Sequence, residues 1–225
     1  MALDFGRLVI RCVESCSLCN SLKTLPTELF KQSTTDIPNA IGKMFSADII
    51  RREKQKIFLV MDIFSSFKTS ASIPNEQHET LQQALIQLSS MLKHVDGCVV
   101  KVDSAPGFLA LQNDKILQSL DIRLDFGRVK NKNHNPTVDK AVQELKQEIR
   151  RLAPSGGCIT PGLLAVATLN ANNRVRNNGL SSKEVLLKRD HVTGKTINFD
   201  DENLADFKHS ERLKNHKYSE LSKSH

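Results

Sequence analysis

Three aspartates could together bind metal, and two of them stand where a carboxylate costs free energy unless something pairs with it. Asp48 lies within the apolar run FSADII, and Asp103 ends the run CVVKVD, followed by Ser104, Ala105, Pro106 and Gly107. A carboxylate inside or at the tip of a buried strand loses hydration that hydrogen bonds or a cation must replace. The third, Asp139, follows NKNHNP near the start of an amphipathic segment. Between Asp48 and Asp103 lie 54 residues, and between Asp103 and Asp139 lie 35. Mg²⁺ prefers a few carboxylates with water completing an octahedron. Three carboxylates converging on one point would hold two such ions about 3.5–4 Å apart, the arrangement for in-line attack on a phosphodiester. Each residue also has an ordinary reading: Asp48 and Asp103 as caps of the next turn, and Asp139 as an acidic first-turn residue favoured by the helix dipole.

The elements that must position these residues are legible as periodicities. FSADIIRR, KIFLVMDI and FKTSASI are three strand-like runs with little between them, which predicts an antiparallel meander. Leu81, Leu85, Leu88 and Leu92 recur at helical spacing, so 76–93 reads as an amphipathic helix. CVVKVD after Gly97 reads as a buried strand, 107–118 as a short helix and DIRLDFG as a fifth strand. Val138, Ala141, Val142, Leu145, Ile149 and Leu152 form one apolar stripe on a helix over 137–152. A further helix is expected over 161–177, stopped by Gly179. A capping box of Ser181 and Glu184 then opens a short helix toward Leu187. This order predicts an α/β fold of the ribonuclease H type: a mixed five-stranded sheet, three antiparallel strands then two parallel, with helices on both faces.

The charge pattern adds a partner. The chain has 225 residues and a net charge of +7, which permits a nucleic-acid partner. Residues 123–151 hold eight Lys/Arg against four Asp/Glu. Arg128, Lys130 and Lys132 alternate there with Asn131, Asn133 and Asn135, side chains that contact phosphates and sugars. On the following helix Gln143, Lys146 and Arg150 share a face with Asp139. A second basic run, Arg51, Arg52, Lys54 and Lys56, reads either as a DNA contact or as a charged strand edge. No apolar run approaches the roughly 18 residues of a membrane span, so no membrane partner is expected. Five scattered cysteines argue against a disulfide scaffold and for a reducing intracellular setting, nucleus or cytoplasm.

Together these segments resemble the integrase of a retrotransposon of the BEL/Pao type, within the retroviral integrase superfamily. CVESCSLCNSLK resembles the end of that family's zinc-binding module, FSADIIRR its first-carboxylate strand and VKVDSAPGF its second. GRVKNKNHNPTVDKAVQELKQEIRRL resembles its asparagine-rich loop and catalytic helix, and NGLSSKEV the turn after the core. The resemblance implies a zinc-module remnant over 1–23, a linker over 24–43, the catalytic core over 44–190 and a polar extension over 191–225. It implies Asp48, Asp103 and Asp139 as ligands of two Mg²⁺ or Mn²⁺, and metal-dependent 3′-end processing and strand transfer. It also implies element-end and target DNA as partners, with Gln143 and Lys146 facing the element end, in a homo-oligomer.

Two departures bear on activity. The family carries Glu at the third position, and Asp139 is one methylene shorter, which sets its carboxylate back by roughly 1–1.5 Å from a tolerance of about 0.5 Å. Glu144, five residues on, lies about 140° around the helix and does not substitute. The zinc set is incomplete too, since Cys16 and Cys19 supply the Cys pair but no His precedes His78. These departures favour the alternative of a catalytically inactive, integrase-derived nucleic-acid-binding protein. A ribonuclease H-like nuclease that cuts without joining is the third reading.

Overall fold

The computed structural model describes residues 16, 38–126, 136–176, 179–198 and 203. Strands β1 (Met44–Arg52), β2 (Gln55–Asp62) and β3 (Lys68–Ile73) form the expected antiparallel meander. Glu53, at positive φ, turns the first hairpin. Helix α1 (His78–Ser90) then crosses to β4 (Cys98–Val102), which joins β1 in parallel. Helices α2 (Pro106–Leu109) and α3 (Lys115–Ser119) lead to β5 (Ile122–Phe126), parallel to β4. The five strands lie in the order β3-β2-β1-β4-β5. Helices α4 (Pro136–Leu152), α5 (Pro161–Asn173) and α6 (Ser182–Leu187) follow.

Strand alternation divides the core in two. Phe45, Ala47, Ile49, Phe58, Val60, Val100 and Val102 face one side, where Leu81, Leu85, Leu88, Phe108 and Leu117 from α1, α2 and α3 cover them. Ile50, Ile57, Leu59 and Met61 face the other, under Val138, Ala141, Leu145, Ile149, Leu164 and Ala167 from α4 and α5. Helices on both faces, around the three-plus-two sheet, are the layers that the ribonuclease H pattern demands.

Two expectations need correction. The segment over 107–118 is two short helices, because Asp114 accepts the Ile116 and Leu117 N–H groups, both at 2.9 Å, and starts α3 afresh. Helix α5 ends at Asn173, not 177. Arg174 is extended, Val175 bridges Ser181, and the Arg176 N–H donates to the Leu180 carbonyl at 3.0 Å. Extended partners thus take the backbone groups that another helical turn would use, and Gly179, at φ 78°, turns that hairpin-like return. The capping box at Ser181 and Glu184 is formed as expected, with bonds of 2.7 and 3.2 Å.

The chain just before β1 is tied to the sheet. Buried Asp62 accepts the Gly42 N–H at 2.9 Å and both the N–H and hydroxyl of Ser65 at 2.6 Å. Gly42 sits at φ +77°, and a Cβ there would stand 1.7 Å from the Leu92 carbonyl oxygen, so only glycine fits.

Candidate active site

Asp48 projects from the middle of β1 toward the α4 side, next to Ile50 on the same face. It is half-buried. Burial pushes its carboxyl up to about 6, and the charges of Asp103 and Asp139 push the same way, against the Ile49 N–H and the Lys146 cation. Its Oδ1 accepts that N–H at 2.7 Å. The parallel register pairs Ser46 with Lys101, which brings Asp103, just beyond the end of β4, level with Asp48. Asp103 Oδ1 accepts the Ala105 N–H at 3.2 Å, an Asx turn that opens the way into α2. Asp139 stands in the first turn of α4, partly buried. Two strands and one helix therefore bring the charges of Asp103 and Asp139 to bear on Asp48. Among the described residues no three His, Cys, Asp or Glu side chains close into a set that could hold a metal ion. The three share a neighbourhood rather than a finished cage.

Helix α4 carries three faces. The apolar stripe packs into the second core cluster, as expected, except that Leu152 at its end is exposed. Gln143, Lys146 and Arg150 are exposed, and the charge of Lys146 reaches Asp48, so this stripe borders the carboxylates. The third face is acidic and was not anticipated. Glu144 pairs with Lys68 Nζ at 2.8 Å and with Arg176 at 3.0 Å, and Glu148 pairs with Arg151 at 2.5 Å and Arg174 at 3.8 Å. Glu144 thus points away from the aspartates, in line with its angular offset on the helix.

Lys68 is the unusual member. Its side chain is 0% exposed. Burial lowers it to about 8 and Glu144 holds it from falling further. Burial acts against ionised Glu144 as well, but the Lys68 and Arg176 cations prevail and hold its carboxyl below the usual range. The one signal in the sequence was the pair Glu144 and Glu148, four apart and flanked by apolar positions. Nothing in it identified their partners, which come from β3 and from the stretch after α5.

The basic run after Asp48 is partly spoken for. Arg51 makes a two-pronged contact with Glu76, at 2.9 and 2.5 Å, and Lys56 lies 3.9 Å from the same carboxylate. Glu76 holds the Arg51 guanidinium above its ordinary value, and the fields of Asp48 and Asp103 reach it too, so this pair forms a rim of the site. Arg52 donates to the Gly157 carbonyl at 3.4 Å. Arg128, Lys130, Asn131, Lys132 and Asn133 lie outside the described residues, as does Cys19; Cys16 is half-buried.

No known family profile matches the chain, and none of the curated proteins does. Solved structures do. The catalytic core domain of BIV integrase superposes with a TM-score of 0.54 at 20% identity, over 65% of this chain and 95% of that one. A chain of the simian T-cell lymphotropic virus intasome, solved in complex with the PP2A regulatory subunit B56 gamma, superposes with a TM-score of 0.61 at 15% identity, over 80% of this chain and 66% of that one. At these identities the likeness is one of fold: the chain has the ribonuclease H-like architecture of retroviral integrase catalytic cores.

Proposed function

We propose that this chain is an integrase-type core that cleaves phosphodiesters and joins DNA strands with a divalent metal. The observation that carries this reading is the convergence of three carboxylates: Asp48 in β1, Asp103 level with it just past β4, and Asp139 in the first turn of α4, the last two both acting on the charge of Asp48. The fit of the residues to Mg²⁺ or Mn²⁺ is chemical, since all three offer hard carboxylate oxygens. Asp48 would hold the ion from the middle of β1, Asp103 from just past the end of β4 and Asp139 from the helix. A metal held there would supply activation of the attacking oxygen and stabilisation of the leaving one. The rest falls to the chain. Lys146, Gln143 and Arg150 supply the exposed polar stripe that would receive the backbone of the DNA end and set it in line. No covalent protein–DNA intermediate is needed, since water or a DNA 3′-hydroxyl is the nucleophile. Element-end and target DNA are the partners this reading implies, held by more than one copy of the chain.

A second reading, a DNA-binding protein that has lost catalysis, is favoured by the short Asp139. The two separate in one experiment. Mn²⁺ and Mg²⁺ are titrated calorimetrically into the wild type and Asp48→Asn, and strand transfer is measured on a labelled duplex end. The proposed activity requires metal binding that Asp48→Asn abolishes, and joined product. Asp139→Glu is expected to raise the joining rate at least tenfold, since it restores the missing methylene. Metal binding without product in both wild type and Asp139→Glu supports the second reading. No metal binding by either sinks the first.

A further inference from the structure

We infer that the buried ion pairs on the back of α4 are a rotational index for the catalytic face, with Glu144, Lys68 and Arg176 acting as positioning residues for Asp139. The inference rests on the metal-site reading for its consequence, though not for its geometry. Helix α4 presents Asp139 and Lys146 on one face, and its grip on the sheet is an aliphatic stripe of Val138, Ala141, Val142, Leu145 and Ile149. Such a surface resists lifting more than turning, because aliphatic packing is non-directional. A carboxylate lies about 5–6 Å from the helix axis, so a turn of about 10° moves it by about 1 Å. Metal chemistry tolerates about 0.5 Å. Rotation is therefore the motion that the site can least accept.

Glu144 lies about 140° from Asp139 around the same helix. It is held by Lys68 from β3 at 2.8 Å and by Arg176 from beyond α5 at 3.0 Å. Arg176 is itself fixed by its Nε–H bond to Ser182 Oγ at 2.9 Å. Two directional contacts from two elements stop the helix from turning either way. The arrangement is a poor choice for stability alone, since a fully buried lysine pair is often matched or bettered by apolar residues of the same volume. What ion pairs add over methionines is direction.

The test separates direction from stability. Lys68→Met and Glu144→Met are combined, leaving Arg176 on Ser182. Spin labels carried by p-acetylphenylalanine at Lys54, in the β1–β2 turn, and at Lys140, on the exposed side of α4, report the helix angle. Mn²⁺ affinity is measured on unlabelled protein. The expected result is a melting temperature at or above that of the wild type, a broadened or displaced label distance, and Mn²⁺ binding weakened at least fivefold. Should the double variant not fold, Glu144→Ala is read by label distance and Mn²⁺ affinity alone, because it leaves Lys68 without its partner and lowers the melting temperature. An unchanged label distance overturns the inference, and so does a changed distance with unchanged Mn²⁺ affinity. A wild type that binds no Mn²⁺ sinks the metal-site reading instead, and label distances that do not differ between wild type and variant still overturn the index.

Discussion

Asp48 shows what burial does to a single carboxylate. The folded protein keeps a proton on it up to about pH 6, while the unfolded chain releases that proton near 3.8. Between those values the native state binds more protons, so its stability falls as pH rises and stays lower above pH 6. Asp48→Asn removes the cost. Allowing for partial exposure, it is expected to stabilise the protein by about 2 kcal/mol at pH 7.5, with the gain vanishing toward pH 4. Urea denaturation at the two pH values measures it. Equal stability of the variant and wild type at pH 7.5 would show that Asp48 is not under strain.

At the scale of the element, α4 allots its faces by angle: aliphatic to the sheet, acidic to Lys68, Arg174 and Arg176, basic and amide to the open side. Lys146 belongs to the last of these, exposed and within the field of Asp48. Lys146→Ala is expected to weaken duplex binding to a similar degree for every DNA sequence and to lower the salt slope of the binding constant by about 1. Affinity measured across a salt series tests this. A slope equal to that of the wild type would remove Lys146 from the phosphate contacts.

At the scale of the molecule, the open problem of any sheet is its edge. Here α5 closes it. Asn172 Nδ2 donates to the Lys68 carbonyl at 2.8 Å, and its Oδ1 accepts the Lys68 N–H at 2.9 Å, so one side-chain amide replaces a neighbouring strand at the start of β3. Ser70 and Thr168 add a 2.6 Å hydroxyl contact along the same seam. Asn172→Ala would leave two buried backbone groups unpaired, at a cost of about 1–3 kcal/mol. The expected signs are a lower melting temperature and faster exchange of the Lys68 amide. Unchanged exchange would mean that another group takes over the edge. Among the described residues no helix is long and apolar enough to cross a membrane.

The strands, their sequence along the chain and the faces of the helices were legible in the sequence because hydrophobic periodicity reports which side of each element is buried. The runs around Asp48 and Asp103 alternate or stay apolar as buried strands must, and the stripe from Val138 to Ile149 repeats as a packed helix must. That Asp48 and Asp103 belong to strands and Asp139 to the start of a helix followed from the same pattern; that the two strands are parallel neighbours is seen only in the fold. Tertiary structure alone decided the rest. Periodicity carries no information about partners distant in the chain, so Lys68 read as the polar start of a strand and Arg176 as part of a helix. Only folding brings them to Glu144, and only there does burial turn three ordinary surface charges into a coupled set. The same holds for the end of α5, where the choice between one more helical turn and an extended bridge was made by Leu180 and Ser181, residues that local propensity at 174–177 does not register.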